Sequence, residues 1–279
     1  MRMVFCSSPV TLLLYQRVLV IVIEKNLKLA EKAAREAGSV AMRYFKTSLY
    51  DIKDKSHNNP VTTADHKANQ VIKDILFEDG STYGWLSEET VDSKERLKKD
   101  YVWVVDPIDG TKEFIEGVSQ FTISIALVCK GDPIIGVIYN PATKEMFSSC
   151  KNMGTFYNQR SAKCLQSKSE LIVLVSRSEV KKGLWKGYAK NFKELKPIGS
   201  VAYKLALVGA GKADMFITLC PKNEWDICAG HCIINESGGV LKDLHGNSIK
   251  YNQEITLIEP GLISGAKDHV DSILPIINT

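Results

Sequence analysis

The chain has 279 residues, 44% of them apolar and 24% charged, and a formal net charge of +4. This composition is that of an ordinary soluble globular enzyme, and the length allows one large domain or two small ones. The lysines are spread along the chain, which is typical of a solvated surface or of a protein with an anionic substrate. A nucleic-acid-binding protein is not indicated, because the basic residues form no block.

The first 23 residues are an N-terminal extension of uncertain role. Val10–Ile23 is apolar but interrupted by polar residues, and it is too short to cross a membrane. A secretory signal is an alternative, but no convincing small-residue cleavage site precedes Glu24. We therefore interpret residues 1–23 as a non-structural extension or as the result of an upstream start codon.

From Glu24 the sequence predicts two helices followed by two strands. Apolar residues recur at spacings of three and four after Glu24, which is typical of an amphipathic helix. Thr62 or Thr63 can cap a second helix. The predicted strands are Tyr83–Ser87 and Tyr101–Val105, and each ends in acidic residues.

A β-rich stretch follows, and its short turns contain Gly, Pro and Asn. The predicted strands are Phe121–Cys129, Ile134–Tyr139 and Glu145–Ser149. Because the connections are turn-like and short, an antiparallel meander is the simplest interpretation.

After about Tyr157 the pattern alternates between strands and helices. The predicted helices are Val201–Ala210, Trp225–Glu236 and Asp268–Ile276, and the predicted strands are Leu171–Val175, Ala213–Thr218, a strand beginning at Val240, and Leu257–Ser264. The sequence thus predicts an α+β half over residues 24–157 and an α/β half over residues 158–279. We expect helices to cover the sheets and the halves to pack as one rigid body.

Two carboxylates lie directly after the apolar strand, in Asp106-Pro107-Ile108-Asp109-Gly110-Thr111. Mg²⁺ prefers oxygen ligands and is often held by a few carboxylates plus substrate phosphate. Pro107 stiffens the turn, and Gly110 lets the backbone approach a ligand closely. Thr111 begins a short helix whose free N–H groups can bind phosphate. The alternative is a turn in which these residues have only a structural role.

Further acidic residues occur at element boundaries. Glu88 and Glu89 end the preceding predicted strand, so a carboxylate there can reach the same rim. Asp65 lies at the start of the second predicted helix, and Asp226 opens a helix in the second half. An acid at a helix N-terminus is also favoured by the helix dipole alone, which leaves a capping role for Asp226 as the alternative.

Three of these segments, in this order and spacing, resemble a known superfamily. They are Glu88-Glu89, Asp106–Thr111 and Trp225-Asp226-Ile227-Cys228-Ala229-Gly230. They are similar to the lithium-sensitive, magnesium-dependent phosphomonoesterases, which include inositol monophosphatase, fructose-1,6-bisphosphatase and the bisphosphate nucleotidases. The resemblance extends from about Glu24 to the C-terminus. It implies an inositol-monophosphatase-like layered sandwich (α-β-α-β-α) that combines α+β and α/β halves.

The resemblance also implies a site for two or three Mg²⁺ ions. The implied metal ligands are Glu88, Asp106, the carbonyl of Ile108, Asp109 and Asp226. Asp65 and Thr111 are implied to orient and deprotonate the attacking water, and the amides of Gly110 and Thr111 to hold the phosphate. Because water is the nucleophile, no Ser, Cys or His nucleophile is required.

The residues after Thr111 favour a nucleotide substrate. Lys112-Glu113-Phe114 resembles the bisphosphate nucleotidase branch, which removes the 3′-phosphate of 3′-phosphoadenosine 5′-phosphate, giving AMP and phosphate; 3′-phosphoadenosine 5′-phosphosulfate is a further candidate. Ser176–Ser178 and Gly199–Lys204 are similar to segments that line the nucleotide side of the site. The implied substrate-binding residues therefore include Lys112, Arg177, Ser200 and Lys204. Arg177 and Lys204 can pair with the 5′-phosphate, and the alternative is that both are surface charges.

Glu224 supports a different substrate. It precedes Trp225-Asp226 and resembles the inositol-type enzymes, in which a nearby acidic residue accepts sugar hydroxyls. An inositol or sugar monophosphate is therefore the alternative substrate, with Glu224 as a substrate-binding residue; in a nucleotidase it would meet the ribose or solvent. An alternative of another class is a non-catalytic protein that binds metal or nucleotide. The presence of Asp65 and Thr111 in addition to the metal ligands argues against it.

The seven cysteines are an odd number without a CxxC pair, which is typical of reduced thiols in a cytosolic protein. Cys228 and Cys232 lie one helical turn apart, and a zinc site there is an alternative. We expect a cytoplasmic, lithium-sensitive enzyme of sulfur or nucleotide metabolism. It should act on a small phosphate ester without binding a membrane or nucleic acid. Related folds often dimerise, so a homodimer is compatible with the resemblance, although no segment indicates an interface.

Overall fold

The computed structural model describes residues 9–56, 59–166 and 170–278, with side chains over 21–54, 60–166 and 170–278. The helices of these residues are α1 (Pro9–Met42), α2 (Thr63–Leu76), α3 (Thr111–Ile115), α4 (Arg177–Lys181), α5 (Val201–Gly209), α6 (Glu224–Glu236) and α7 (Lys267–Ile277). The strands are β1 (Ile52–Ser56), β2 (Asn59–Thr62), β3 (Gly84–Ser87), β4 (Tyr101–Asp109), β5 (Thr122–Cys129), β6 (Asp132–Asn140), β7 (Glu145–Cys150), β8 (Gly154–Tyr157), β9 (Arg160–Ala162), β10 (Ile172–Ser176), β11 (Glu194–Ile198), β12 (Met215–Thr218), β13 (Lys222–Asn223), β14 (Val240–Asp243), β15 (Leu257–Ile258) and β16 (Leu262–Gly265).

The larger sheet has seven strands in the order β3-β4-β5-β6-β7-β8-β9. β3 and β4 are parallel, and every later pair in the sheet is antiparallel. This arrangement confirms the predicted meander. The sheet continues through β9, beyond the predicted division between halves at Tyr157.

The smaller sheet has the strand order β11-β10-β12-β16-β14. Its first three strands are parallel, and β16 is antiparallel to both of its neighbours. The strand predicted over Leu257–Ser264 is instead two strands, because β15 pairs with β13 outside this sheet. Pro260 lies between them, and proline has no N–H with which to continue a ladder.

Helices cover both sheets, and the side chains alternate accordingly. On β4, Trp103 and Val105 pack with α1 and α2, whereas Val104 packs with α5, α6 and the smaller sheet. Val270 and Ile273 of α7 pack on the opposite face of the smaller sheet. The predicted α-β-α-β-α sandwich is confirmed, and the two sheets share the hydrophobic core around α5 and α6.

α1 begins at Pro9, well before the predicted start at Glu24. No Gly or Pro occurs between residues 10 and 37, so nothing interrupts the helical backbone, and Pro9 fits the first helical position. The interpretation of residues 9–23 as non-structural is therefore wrong for their backbone, and residues 1–8 lie outside the described residues. Among the residues that the structure describes, no helix is both long and apolar enough to cross a membrane.

Candidate active site

A bulge in β4 brings Asp106 and Asp109 to one side of the larger sheet. Regular alternation would place residues three apart on opposite faces. Asp106 pairs with Ser124 but Asp109 pairs with Thr122, so β4 contains one extra residue here. Ile108 consequently joins the core beneath α1 and α2, while both carboxylates line the same pocket.

Glu88 and Asp226 approach Asp106 from two other elements. The N–H of Glu88 donates to the carbonyl of Val105 at 3.2 Å, which continues the parallel pairing of β3 with β4. Asp226 lies in the first turn of α6, where Oδ2 accepts the N–H of Asn223 at 2.9 Å. One oxygen from each of Glu88, Asp106 and Asp226 lies within 4.8 Å of the others. Asp226 therefore caps its helix, as the alternative interpretation held, and also belongs to this carboxylate group.

Burial and mutual repulsion raise the pKa values of these carboxyls. The pKa of Asp106 lies well above its usual range, first because of burial and then because of Glu88, Asp109 and Asp226. Burial, with Asp109 and Glu88 adding to it, raises the pKa of Asp226 to about 8. Such a cluster is unfavourable when ionised unless a cation offsets the charge. The donor set thus fits a hard divalent cation such as Mg²⁺.

Asp65 is fixed by the cap of α2. Its Oδ2 accepts the backbone N–H of Thr62 at 2.8 Å and the hydroxyl of Thr62 at 2.6 Å. Its Oδ1 lies 3.1 Å from the hydroxyl of Thr111. Burial outweighs these hydrogen bonds and raises the pKa of Asp65 to about 6. The structure therefore brings the two predicted catalytic residues together.

Gly110 and Thr111 lie at the start of α3 and line the pocket. Gly110 has a φ of 98°, and a Cβ there would lie 2.9 Å from the carbonyl oxygen of Gln120. Glycine is required at this position for both reasons. The pocket has a volume of about 270 Å³ and is lined by Pro60, Glu88, Asp106, Ile108, Asp109, Gly110, Thr111, Lys112, Glu113, Asn223, Trp225 and Asp226.

Ser200 and Lys204 do not line this pocket. The hydroxyl of Ser200 donates to Oδ2 of Asp109 at 2.5 Å, and the N–H of Ala202 donates to the same oxygen at 2.6 Å. Lys204 is only 2% exposed, and its Nζ donates to the carbonyls of Ile198 and Ser200. The structure therefore does not support substrate binding by the side chains of Ser200 and Lys204, because both are buried and hydrogen-bonded within the protein.

Glu224 is also structural. It is fully buried, and its carboxylate accepts the N–H groups of Asn252 at 2.7 Å and Gln253 at 2.8 Å. These backbone donors occupy both oxygens. The prediction that Glu224 meets a substrate hydroxyl is wrong, because the side chain turns away from the pocket that Asp226 lines.

Arg177 lies beside the site without lining it. It donates to Glu113 at 3.0 Å and to Glu116 at 2.9 Å, and thus joins α4 to α3. Glu113 itself lines the pocket. Lys112, a neighbouring lining residue, is exposed. The substrate-binding roles of Arg177 and Lys112 stay predictions.

The sequence predicted Thr62 only as a possible helix cap and did not predict that Thr62 or Glu113 contacts a site residue. The spacing of Thr62 and Asp65 is that of a capping box, so the sequence did contain a signal for Thr62. Glu113 carried no signal, because its contact with Arg177 joins distant parts of the chain. The zinc alternative is not supported, because the potential metal ligands that lie together among the described residues are Glu88, Asp106 and Asp226, and neither Cys228 nor Cys232 belongs to such a group.

Residues 23–277 match the family model described as the inositol monophosphatase family. The chain belongs to this family. A 3′(2′),5′-bisphosphate nucleotidase CysQ from Shigella flexneri is 35% identical over 234 residues, which cover 82% of this chain and 94% of that protein. An inositol-1-monophosphatase from Mesorhizobium japonicum is 32% identical over 232 residues, which cover 79% and 86%.

Solved structures also resemble the fold of this chain. The extragenic suppressor protein suhB from Bartonella henselae superimposes with a TM-score of 0.79 at 25% identity, covering 90% of this chain and 98% of that one. Family membership confirms the resemblance predicted from the three motifs and indicates an inositol-monophosphatase-family phosphatase. The names of the relatives differ in substrate.

Proposed function

We propose that this protein is a magnesium-dependent phosphomonoesterase that removes the 3′-phosphate of 3′-phosphoadenosine 5′-phosphate. The observation that carries the proposal is the carboxylate group of Glu88, Asp106 and Asp226, together with the Asp65–Thr111 pair, of which Thr111 lines the same pocket. A protein that only binds metal requires the carboxylate group, but it does not require the Asp65–Thr111 pair.

Glu88, Asp106 and Asp226 would hold Mg²⁺, and Asp109 with the carbonyl of Ile108 would complete the ligands for two or three ions. Bound Mg²⁺ would lower the pKa of the attacking water, neutralise the phosphate and stabilise the leaving alkoxide. The hydrogen bonds to Asp109 and Asp226 fix the direction of each carboxylate, which is the usual role of groups behind metal ligands.

Asp65 and Thr111 would manage the proton of the attacking water. The Thr111 hydroxyl lies 3.1 Å from both Oδ1 of Asp65 and the carbonyl of Ile108, and its single proton serves one of them at a time. Its lone pairs remain available to a water. The water proton passes through this hydroxyl to Asp65, whose pKa of about 6 suits a base at neutral pH.

The phosphate would bind at the start of α3. Gly110 and Thr111 line the same pocket as the carboxylate group, and their N–H groups would hold the phosphate there. In-line displacement at phosphorus requires positioning and charge stabilisation more than covalent chemistry from the protein. The chain's own contribution is therefore to hold the phosphate between α3 and the bound ions.

Two observations support a bisphosphate rather than an inositol phosphate. Glu224, which motivated the inositol alternative, is buried and bonded to the backbone. Lys112 lines the pocket and is exposed, so its cation is available for a second phosphate. Arg177 lies beside it, paired with Glu113 and Glu116. The 35% identity to a CysQ nucleotidase agrees with this assignment, and 3′-phosphoadenosine 5′-phosphosulfate is a further candidate substrate.

A phosphate-release assay over both nucleotides, adenosine 3′-monophosphate and inositol 1-phosphate tests which substrate the enzyme prefers. We expect kcat/KM for 3′-phosphoadenosine 5′-phosphate to exceed that for inositol 1-phosphate by about 100-fold or more. Arg177→Met and Lys112→Met should reduce kcat/KM for the bisphosphate while leaving that for adenosine 3′-monophosphate unchanged, because this substrate has no 5′-phosphate. A higher kcat/KM for inositol 1-phosphate would support the inositol alternative instead.

The proposal also covers the inhibition, metabolic role, location and oligomeric state of the enzyme. It includes inhibition by lithium, a role in sulfur or nucleotide metabolism, a cytoplasmic location and a homodimeric state. Light scattering after size exclusion tests the oligomeric state, and a lithium titration of phosphate release tests the inhibition.

A further inference from the structure

Lys204 is buried, and it does not line the pocket. Its side chain is only 2% exposed, and its Nζ lies 5.3 Å from the centre of the Phe216 ring. Nζ donates to the carbonyl of Ile198 at 2.9 Å and to that of Ser200 at 2.6 Å. Burying a lysine is costly unless its charge is compensated, so this one is expected to have a specific role.

Lys204 is linked to Asp109 through Ser200, whose carbonyl accepts from Lys204 and whose hydroxyl donates to Asp109. Burial lowers the pKa of Lys204 to about 8, and Asp109 is the largest influence opposing that shift. Asp109 also lines the pocket, whereas Lys204 does not. The lysine therefore lies outside the pocket and acts on the site only through the Asp109 carboxylate.

Ser200 joins the two charged groups. Its φ is 59°, an unfavourable value for a residue with a side chain, and Lys204 holds the carbonyl of this residue. In this conformation the Ser200 hydroxyl donates to Oδ2 of Asp109 and accepts the N–H of Tyr203 at 2.9 Å. The same turn places the N–H of Ala202 on Oδ2 of Asp109.

We propose that Lys204 is a positioning residue that, through Ser200, fixes the Asp109 carboxylate for Mg²⁺ and balances its buried charge. Lys204 does not touch the substrate. The inference rests on the proposed function only in taking Mg²⁺ as the ion, and its main test requires no substrate.

The test compares Lys204→Met and Ser200→Ala with wild type. Lys212→Met is the matched control, because Lys212 follows the same helix, is exposed and lies over the ring of Tyr157. Mg²⁺ binding is measured by calorimetry and by the Mg²⁺-dependent shift in melting temperature. We expect both variants to weaken Mg²⁺ binding by about 10–100-fold, as for other groups that orient metal ligands, and Lys212→Met to bind as wild type does.

Kinetics and the double variant separate positioning from direct contact. At fixed Mg²⁺, Lys204→Met should lower kcat, with the KM values of bisphosphate and monophosphate nearly unchanged. The double variant should bind Mg²⁺ more tightly than the product of the two single effects predicts, because both act on one carboxylate.

Three results would overturn the inference. Unchanged Mg²⁺ binding with only a lower melting temperature would make Lys204 a purely structural residue. Unchanged Mg²⁺ binding with a raised KM for the bisphosphate alone would make it a substrate ligand. Should Lys204→Met fail to fold, Ser200→Ala decides by the same criteria. A wild-type chain that binds no Mg²⁺ would overturn the magnesium assignment and this inference together, whereas failure of the nucleotide assignment would leave the Mg²⁺ comparison intact.

Discussion

The hydroxyl of Thr111 lies 3.1 Å from Oδ1 of Asp65, although 46 positions separate them in the chain. The other oxygen of Asp65 is held by the N–H and hydroxyl of Thr62 at the cap of α2. The helix cap therefore aims a carboxylate at the hydroxyl that begins α3. A group that stabilises a helix end is at the same time placed for proton transfer.

Asp65→Asn should reduce kcat by about 100- to 10,000-fold with little change in KM, because an amide keeps the shape but cannot take the proton. Steady-state phosphate release measures both constants. Asp74→Asn is a matched control, since Asp74 is exposed on the same helix. Near-wild-type kcat for a folded Asp65→Asn protein would exclude Asp65 as the base.

Gly110→Ala should destabilise the protein by about 1–3 kcal/mol, because the new Cβ meets the carbonyl of Gln120 and φ is positive. Gly80→Ala provides the control. Gly80 also has a positive φ, of 72°, but a Cβ there would have no atom within 4 Å. Urea unfolding should show a smaller loss for Gly80→Ala; equal losses would mean that the contact with Gln120 contributes nothing.

Glu224→Gln should lower stability by about 1–3 kcal/mol, because an amide cannot accept both backbone N–H groups. We expect the ratio of kcat/KM for nucleotide and inositol substrates to remain that of wild type. Chemical unfolding and the substrate panel measure the two effects. A changed ratio of the two kcat/KM values would indicate that Glu224 contributes to substrate binding.

The stability of the metal-free protein should depend on Asp226. Its folded pKa of about 8 lies above the value of 3.8 for an exposed aspartate, so the folded chain holds this proton more tightly than the unfolded chain. The stability that this provides is present below about pH 4 and is lost as pH rises through about 8. In EDTA, the stability of wild type relative to Asp226→Asn should therefore fall between pH 5 and 8.

The difference between the two chains removes the contribution of titrating groups that do not interact with Asp226, such as His231, whose pKa burial lowers to about 4. Saturating Mg²⁺ should raise the melting temperature of wild type most at the alkaline end, since Mg²⁺ binds the ionised carboxylates. A difference between the two chains that is independent of pH would contradict the raised pKa.

The larger sheet and its acidic rim could be predicted because their signals are local. The apolar strand before Asp106 and the turn residues between β5, β6 and β7 are visible in short segments of sequence. Glu88 follows a strand parallel to β4, so its approach to Asp106 also follows from simple strand geometry. These features carried the family resemblance.

The side-chain directions of Lys204 and Glu224 could not be predicted. Both lie within a few residues of motif positions, but the partners that bury them are carbonyls of a turn and N–H groups of a distant loop. The charge of each side chain suggested that it binds a ligand, but tertiary packing buries both side chains away from the pocket. The early start of α1 was missed because the valines and isoleucines before Glu24 are more typical of strands. These β-branched residues lower helix propensity only slightly, so the helix continues through them.

The central claim is that a carboxylate-held Mg²⁺ supports phosphate release, and a Mg²⁺ titration of the chelated enzyme tests it most directly. Initial rates with 3′-phosphoadenosine 5′-phosphate should be negligible in EDTA and should rise to saturation at millimolar Mg²⁺. Asp106→Asn, which alters the carboxylate at the centre of the group, should abolish that rise. Phosphate release that persists in EDTA, or that Asp106→Asn leaves intact, would contradict the account.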